Sequence, residues 1–236
     1  MKWKKIAALM LGAALLMMVS GCGGAKEATF TSKDGIVITA NDKWQQLAGQ
    51  EELAEIYDGA VDDETLESVD LALRNEVSYF TIETADVLAD LENMRALQEI
   101  MKDSTPDEVE DILDGLRNNG FSEEEVTVIA DLTEQDADVA LVYQQMNNAG
   151  WLVQLATYDG YNFVGSEDAE ILGQTSEILE YSYINGQGMT IHFYEASIIE
   201  NDKLYIINAW CEDGQFAKQK DALKTMMTTA KWSAAE

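Results

Sequence analysis

A chain of 236 residues with 44 acidic and 15 basic side chains carries a formal charge of −29 at neutral pH. A polyanion of that size repels nucleic acid and anionic lipid headgroups, so neither is a partner recognised through charge. A 47% hydrophobic content and a single proline exclude long disordered tracts, and the length suffices for one generous domain or two small ones.

The first segment reads as an address. Met1-Lys2-Trp3-Lys4-Lys5 is a basic start, and Ile6 to Val19 contains no charged residue. About 14 apolar residues are too few to span a bilayer as a helix, which takes about 20, but they suit a signal-peptide core. Removing residues 1–21 as a leader takes away three lysines and no acids, which moves the charge from −29 to −32.

Thr29 to Ser32 and Ile36 to Thr39 flank Asp34-Gly35, a strong hairpin signal. Asn41 or Asp42 is placed to cap a short helix carrying Trp44 into the core. Val69 to Leu73 and Val77 to Ile82 are β-rich and predict two strands turning near Arg74-Asn75-Glu76. From Thr84 the period changes. Val87, Leu88, Leu91, Met94, Leu97, Ile100 and Met101 recur at threes and fours and predict an amphipathic helix. Thr105-Pro106-Asp107-Glu108 restarts a helix with a capping box, ended by Asn118-Asn119-Gly120.

Ser122 to Glu125 offers a second capping box. The following Val126-Thr127-Val128-Ile129 suits a helix or a strand. Thr133 is placed to cap a helix reaching Met146 and closed by Asn147 to Gly150. Trp151 to Thr157 reads as a strand, as do the segments around Ile178-Tyr181-Tyr183, Met189-Ile191-Phe193 and Leu204 to Trp210. The turns Asn185-Gly186 and Glu200 to Lys203 make the last of these an antiparallel meander. A terminal helix with Phe216, Leu223, Met226, Met227 and Ala230 on one side closes the chain.

Val19-Ser20-Gly21-Cys22 resembles the lipobox of bacterial lipoproteins, in which the cysteine thiol receives diacylglycerol and the chain is cut before it. The resemblance implies a leader over 1–21, a lipidated tether over 22–29, and a protein held by lipid on Cys22 to the outer face of the cytoplasmic membrane. Ser32-Lys33-Asp34-Gly35 with Trp44, and the run from Asn185-Gly186 through Lys203 to Trp210 and on to Thr229-Ala230-Lys231-Trp232, resemble the PsbP-like lipoproteins of Firmicutes. That superfamily also includes the extrinsic PsbP subunit of photosystem II and the DcrB-type lipoproteins. It implies an α+β fold over 30–236, a mostly antiparallel central sheet flanked by helices. It also implies a non-enzymatic role in binding or assembly, with an envelope protein or a small ligand as partner. Residues 103–165 do not fit the pattern and read as a helical insertion. The two glycines after Cys22 and the resemblance together point to a Gram-positive cell.

No catalytic constellation is legible, and no cofactor or metal is expected. The only histidine, His192, sits in an alternating strand and reads as an exposed or half-buried position. Cys211 is the one thiol left after lipidation; it follows an apolar strand and reads as buried and structural rather than as a nucleophile. Asp159-Gly160-Tyr161-Asn162 and Val61-Asp62-Asp63-Glu64 offer oxygens to calcium, but neither has the ordered ligand series of a calcium loop. Tyr158, Tyr161 and Phe163 cluster beside glycines, either as edges of the core or as a surface for a ligand or protein. The alternative function is a carboxylate-dependent envelope hydrolase acting on a glycan, which needs a deep cleft with two carboxylates about 5–10 Å apart and one raised pKa.

Overall fold

A computed structural model describes residues 26–54, 56, 63–134 and 136–233. The leader, Cys22, Val61 and Asp62 lie outside the described residues. In chain order the elements are β1 Glu27–Thr31, β2 Ile36–Asn41, β3 Gln45–Gln46, α1 Gln50–Ala54, α2 Asp63–Ser68, β4 Val69–Arg74 and β5 Ser78–Asp86. Four helices follow: α3 Leu88–Asp103, α4 Pro106–Asn118, α5 Glu123–Ala130 and, after a 3-10 turn at Asp131–Thr133, α6 Val139–Leu155. The chain ends with β6 Asn162–Ile171, β7 Gln174–Ile184, β8 Thr190–Glu200, β9 Lys203–Glu212, α7 Asp213–Thr228 and β10 Lys231–Trp232.

The fold is α+β. A seven-stranded antiparallel sheet runs β3-β4-β5-β9-β8-β7-β6, and a small sheet runs β1-β2-β10. The Asp34-Gly35 hairpin forms as expected, although β1 starts at Glu27, inside the segment read as a tether. Gly35 holds φ +89°, and a Cβ there would lie 2.9 Å from Ser233 Oγ, so the turn both needs and is crowded onto glycine. The β8–β9 turn puts Asn201 and Asp202 at φ 53° and 60°, the left-handed pair that a tight hairpin demands.

Alternation decides which side chains meet. One sheet face sends Leu71, Leu73, Phe80, Ile82, Ile198 and Ile207 into the main core, against α7 and the small sheet's Ile36 and Ile38. Each such fully buried side chain contributes about 1.5–3 kcal/mol. Trp44 joins this core as expected, but it follows a turn in which Asn41 Oδ1 accepts from the Lys43 amide, and no helix forms there. The other face is only partly covered. Leu47, Leu53, Val69 and Ala72 pack beneath α1, and Val87, Leu91, Ile199 and Leu204 beneath α3.

Between β5 and β6 the chain builds a helical body with its own core of Met94, Met101, Leu113, Val126, Ile129, Leu132 and Val142. Both capping boxes form, Thr105 with Glu108 and Ser122 with Glu125, and Val126 to Ile129 is helical. Consecutive helices span 88–155, the first of them the amphipathic helix expected through Met101, and residues 162–165 belong to β6. Thr84 does not open a helix. β5 continues to Asp86 because its ladder with β9 runs to Lys203. Thr133 closes the 3-10 turn, and Asp138 caps α6 by accepting from Ala140 and Leu141 amides. Trp151 to Thr157 is not the strand that its composition predicts. Trp151 to Leu155 is the last turn of α6, and Asn147 to Gly150 does not stop it. At Gly150 a Cβ would lie 2.7 Å from Glu125 Oε1, so a larger residue there would push that carboxylate aside.

Candidate functional site

The uncovered part of the second sheet face is a cleft of about 570 Å³. Strand alternation places its floor. Tyr79 on β5 pairs with Trp210 on β9, Trp210 with Phe193 on β8, and Phe193 with Tyr181 on β7, so four rings stand in register across four strands. Their centroids are 5.4, 5.4 and 5.2 Å apart and their planes lie within 22° of parallel. Tyr183 stacks beside Phe193 at 5.2 Å. Such pairs contribute about 0.5–1.5 kcal/mol each beyond burial. Ile56, Trp151 of α6 and the β7–β8 turn with Met189 form the walls.

Glu195 lies one ladder step from this row, directly opposite Asn208 of β9, and both line the cleft. The carboxylate is 6% exposed. Its Oε2 accepts from Trp151 Nε1 at 2.9 Å and from the Tyr181 hydroxyl at 2.7 Å. Burial pushes its pKa up to about 7, against the two donors, and Glu83 adds repulsion. Burial and the facing Glu195 hold the Tyr181 hydroxyl well above its usual range. Asn208 Oδ1 is buried with no hydrogen-bond partner among the described residues. A second hollow shares Glu83, Trp151, Glu195 and Asn208 and continues to Glu125, Met146 and Gln154 beneath the helices.

Of the residues singled out in the sequence, none of Tyr158, Tyr161 and Phe163 lines this cleft. Tyr158, at the turn after α6, sets its ring edge against Trp151 at 6.4 Å and Tyr183 at 5.2 Å, so it buttresses the wall. Tyr161 packs half-buried on Leu155, Leu179 and Tyr181. Phe163 is 43% exposed on β6, in register with Tyr181, which extends the aromatic row to the sheet edge. The Asp159 carbonyl accepts from the Ile184 amide. Among the described residues no group of three or more His, Cys, Asp or Glu is placed to hold a metal ion.

His192 is buried, contrary to expectation, because α7 lays Phe216 against its ring at 3.5 Å. Its Nδ1 lies 3.1 Å from Asp213 and its Nε2 3.1 Å from Glu180. His192 and Cys211 are cross-strand partners, yet they form no nucleophile–base pair. Both imidazole nitrogens face carboxylates. The Cys211 thiol packs in the main core, where burial pushes its pKa up to about 11.

Sequence reasoning missed the row and its carboxylate. One signal was there: a glutamate inside the apolar run Ile191 to Ile199 is costly unless it is hydrogen-bonded or used. The pairing of Tyr79, Trp210 and Phe193 depends on register between strands distant in sequence.

No protein-family model matches the sequence, and no curated protein matches it. Among solved structures, the chain is similar to cyanobacterial PsbP (CyanoP) from Synechocystis sp. PCC 6803, over 92% of this chain and 99% of that one, with 14% identity and a TM-score of 0.45. It is similar to LpqN of Mycobacterium tuberculosis, described as involved in cell envelope biogenesis, over 89% of this chain and 91% of that one, with 12% identity and a TM-score of 0.42. It is also similar to the Ran-binding protein Mog1p of Saccharomyces cerevisiae, over 85% of each chain, with 8% identity and a TM-score of 0.38.

Proposed function

We propose that this chain is an extracytoplasmic lipoprotein of a Gram-positive cell. Lipid on Cys22 holds it to the outer face of the cytoplasmic membrane, and a single PsbP-like domain over 30–236 binds a small ligand or a segment of an envelope protein without catalysis. The address rests on the basic start, the short apolar core and Val19-Ser20-Gly21-Cys22. No helix among the described residues is long and apolar enough to cross a membrane.

The binding role rests on one observation: an in-register row of rings, of which Tyr79, Trp210 and Phe193 are half-buried, beside a buried carboxylate, open in a cleft of about 570 Å³. Aromatic area left uncovered over a few fixed polar groups is how small-molecule sites are built. Tyr158, Tyr161 and Phe163 then serve as an outer contact surface beyond the cleft wall.

A second reading has its own support. Glu195, with a pKa of about 7, and Glu83 line the same cleft, as an acid and its partner in a glycan hydrolase would. Release of reducing ends from envelope glycan by the wild type, abolished by Glu195→Gln, would favour it over the binding role.

Intact mass tests the main reading. The protein is purified from its own membrane with a Cys22→Ala variant alongside. Under denaturing conditions the mass should correspond to cleavage before Cys22 plus acyl chains, which vanish in the variant. Under native conditions a further bound mass should be present, and Trp210→Ala should lose it. An unprocessed, unacylated chain overturns the address, and an unliganded native mass identical in both proteins overturns the binding role.

A further inference from the structure

We propose that the cleft recognises an organic cation bearing N–H donors, a primary ammonium or a guanidinium, with Glu195 as its counter-charge. This rests on the reading of the cleft as a binding site, and the cation is either a free small molecule or a side chain of a basic partner segment.

The lining has one sign of charge. Its carboxylic acids are Glu76, Glu83, Glu195 and Glu212, the adjoining hollow adds Glu125, and among the described residues no lysine, arginine or histidine lines either space. Low-dielectric walls around charges of one sign focus the field on whatever enters.

The two donors nearest Glu195, Trp151 Nε1 and the Tyr181 hydroxyl, are both spent on Oε2. Asn208 Oδ1, which faces Glu195 across the β8–β9 ladder, is buried and accepts no hydrogen bond among the described residues. A buried acceptor left without a donor favours a ligand that brings one. An ammonium or guanidinium supplies both the donors and the charge. A quaternary ammonium supplies no donor, and an anion supplies neither. The rings of Tyr79, Trp210, Phe193 and Tyr183 cover the alkyl stem that carries the cation.

The groups facing Glu195 from the elements around it are Glu83 of β5, Tyr181 and Tyr183 of β7, Trp151 of α6 and, across the adjoining hollow, Glu125 of α5. None is cationic. Burial leaves Glu195 titrating near 7, so a cation binds its ionised form and displaces a proton below that pH.

Calorimetry of the full-length protein in non-ionic micelles tests this, with pentylammonium against 1-pentanol as the matched uncharged probe. Spermidine and the peptide acetyl-Gly-Lys-Gly-amide separate a free amine from a protein side chain; whichever binds tighter names the source. Pentylammonium should bind at least tenfold tighter than pentanol, and close to tenfold tighter at pH 8 than at pH 6. Glu195→Gln, which keeps an acceptor for Trp151 and Tyr181, should lose at least tenfold and flatten the pH dependence. The two wild-type comparisons decide the matter even if that variant fails to fold. Pentanol binding as well as pentylammonium overturns the cation assignment and leaves the cleft a binding site. Affinity for pentylammonium that is undetectable, or unchanged in Glu195→Gln, overturns it as well, while the native mass measurement tests the binding role separately.

Discussion

The indole Nε1 of Trp151 donates to Oε2 of Glu195 over 2.9 Å, joining positions 44 residues apart. The bond fastens the last turn of α6 to the middle of β8, so the helical body between β5 and β6 sets one wall of the cleft. Glu195 is thereby both a structural acceptor and, among the described residues, the only buried carboxylic acid in the cleft lining.

Trp151→Phe keeps an aromatic ring but removes the donor together with part of the indole's packing. It should cost about 1–3 kcal/mol, since a buried carboxylate loses one of two partners. Tyr181→Phe should cost a similar amount. The double variant should depart from the sum, because both groups serve one oxygen. Urea unfolding of the four proteins reads this, and strict additivity would show that the two bonds act independently.

The pH dependence of Glu195 has a definite sign. Its pKa is about 7 folded against an ordinary 4.5, so the folded state holds the proton more tightly. Its contribution to stability is therefore fully present below about pH 4.5 and is lost as pH rises through 7. Glu195→Gln removes this loss. Relative to wild type, the variant should gain roughly 2–3 kcal/mol between pH 5 and pH 8. Parallel stability curves for the two proteins over that range would refute the assignment.

His192 should matter modestly. His192→Phe retains stacking on Phe216 but abandons Glu180 and Asp213, whose side chains are 28% and 57% exposed and can rehydrate. The expected cost is about 1 kcal/mol, near the floor for a lost charged hydrogen bond. A chemical denaturation midpoint measures it, and a loss above about 3 kcal/mol would mean that the carboxylates are effectively desolvated.

The helix caps lie far from the cleft. Thr105→Ala and Ser122→Ala should each cost about 1 kcal/mol and speed amide exchange in α4 and α5 respectively. Exchange in the β8–β9 ladder should be unchanged. Faster exchange there would show the helical body and the sheet opening together.

Legibility followed periodicity and turn chemistry. The Asp34-Gly35 hairpin, both capping boxes, the β7–β9 meander and the α7 face were all readable, because each is specified by residues near in sequence. Trp151 to Leu155 was not, since a short run that is apolar but for Gln154 gives no period and the Gly150 before it imitates a stop. β6 escaped because its edge position leaves most of Asn162 to Glu170 exposed, so apolar and polar residues do not alternate. The cleft was hidden for a third reason. Tyr79, Phe193 and Trp210 become a row only through the register of β5, β9 and β8, which no local pattern encodes.

The central claim, that the second sheet face binds a ligand beside Glu195, is tested most directly by the indole ¹⁵N–¹H signals. The chain has five tryptophans, of which Trp151 and Trp210 line the cleft, while Trp44 is buried in the main core and Trp232 packs on Tyr205. On titration with pentylammonium chloride at pH 8, the Trp151 and Trp210 signals should move, those of Trp44 and Trp232 should stay, and Glu195→Gln should suppress the change. Stationary Trp151 and Trp210 signals at saturating probe, or equal movement of all four, would contradict the account.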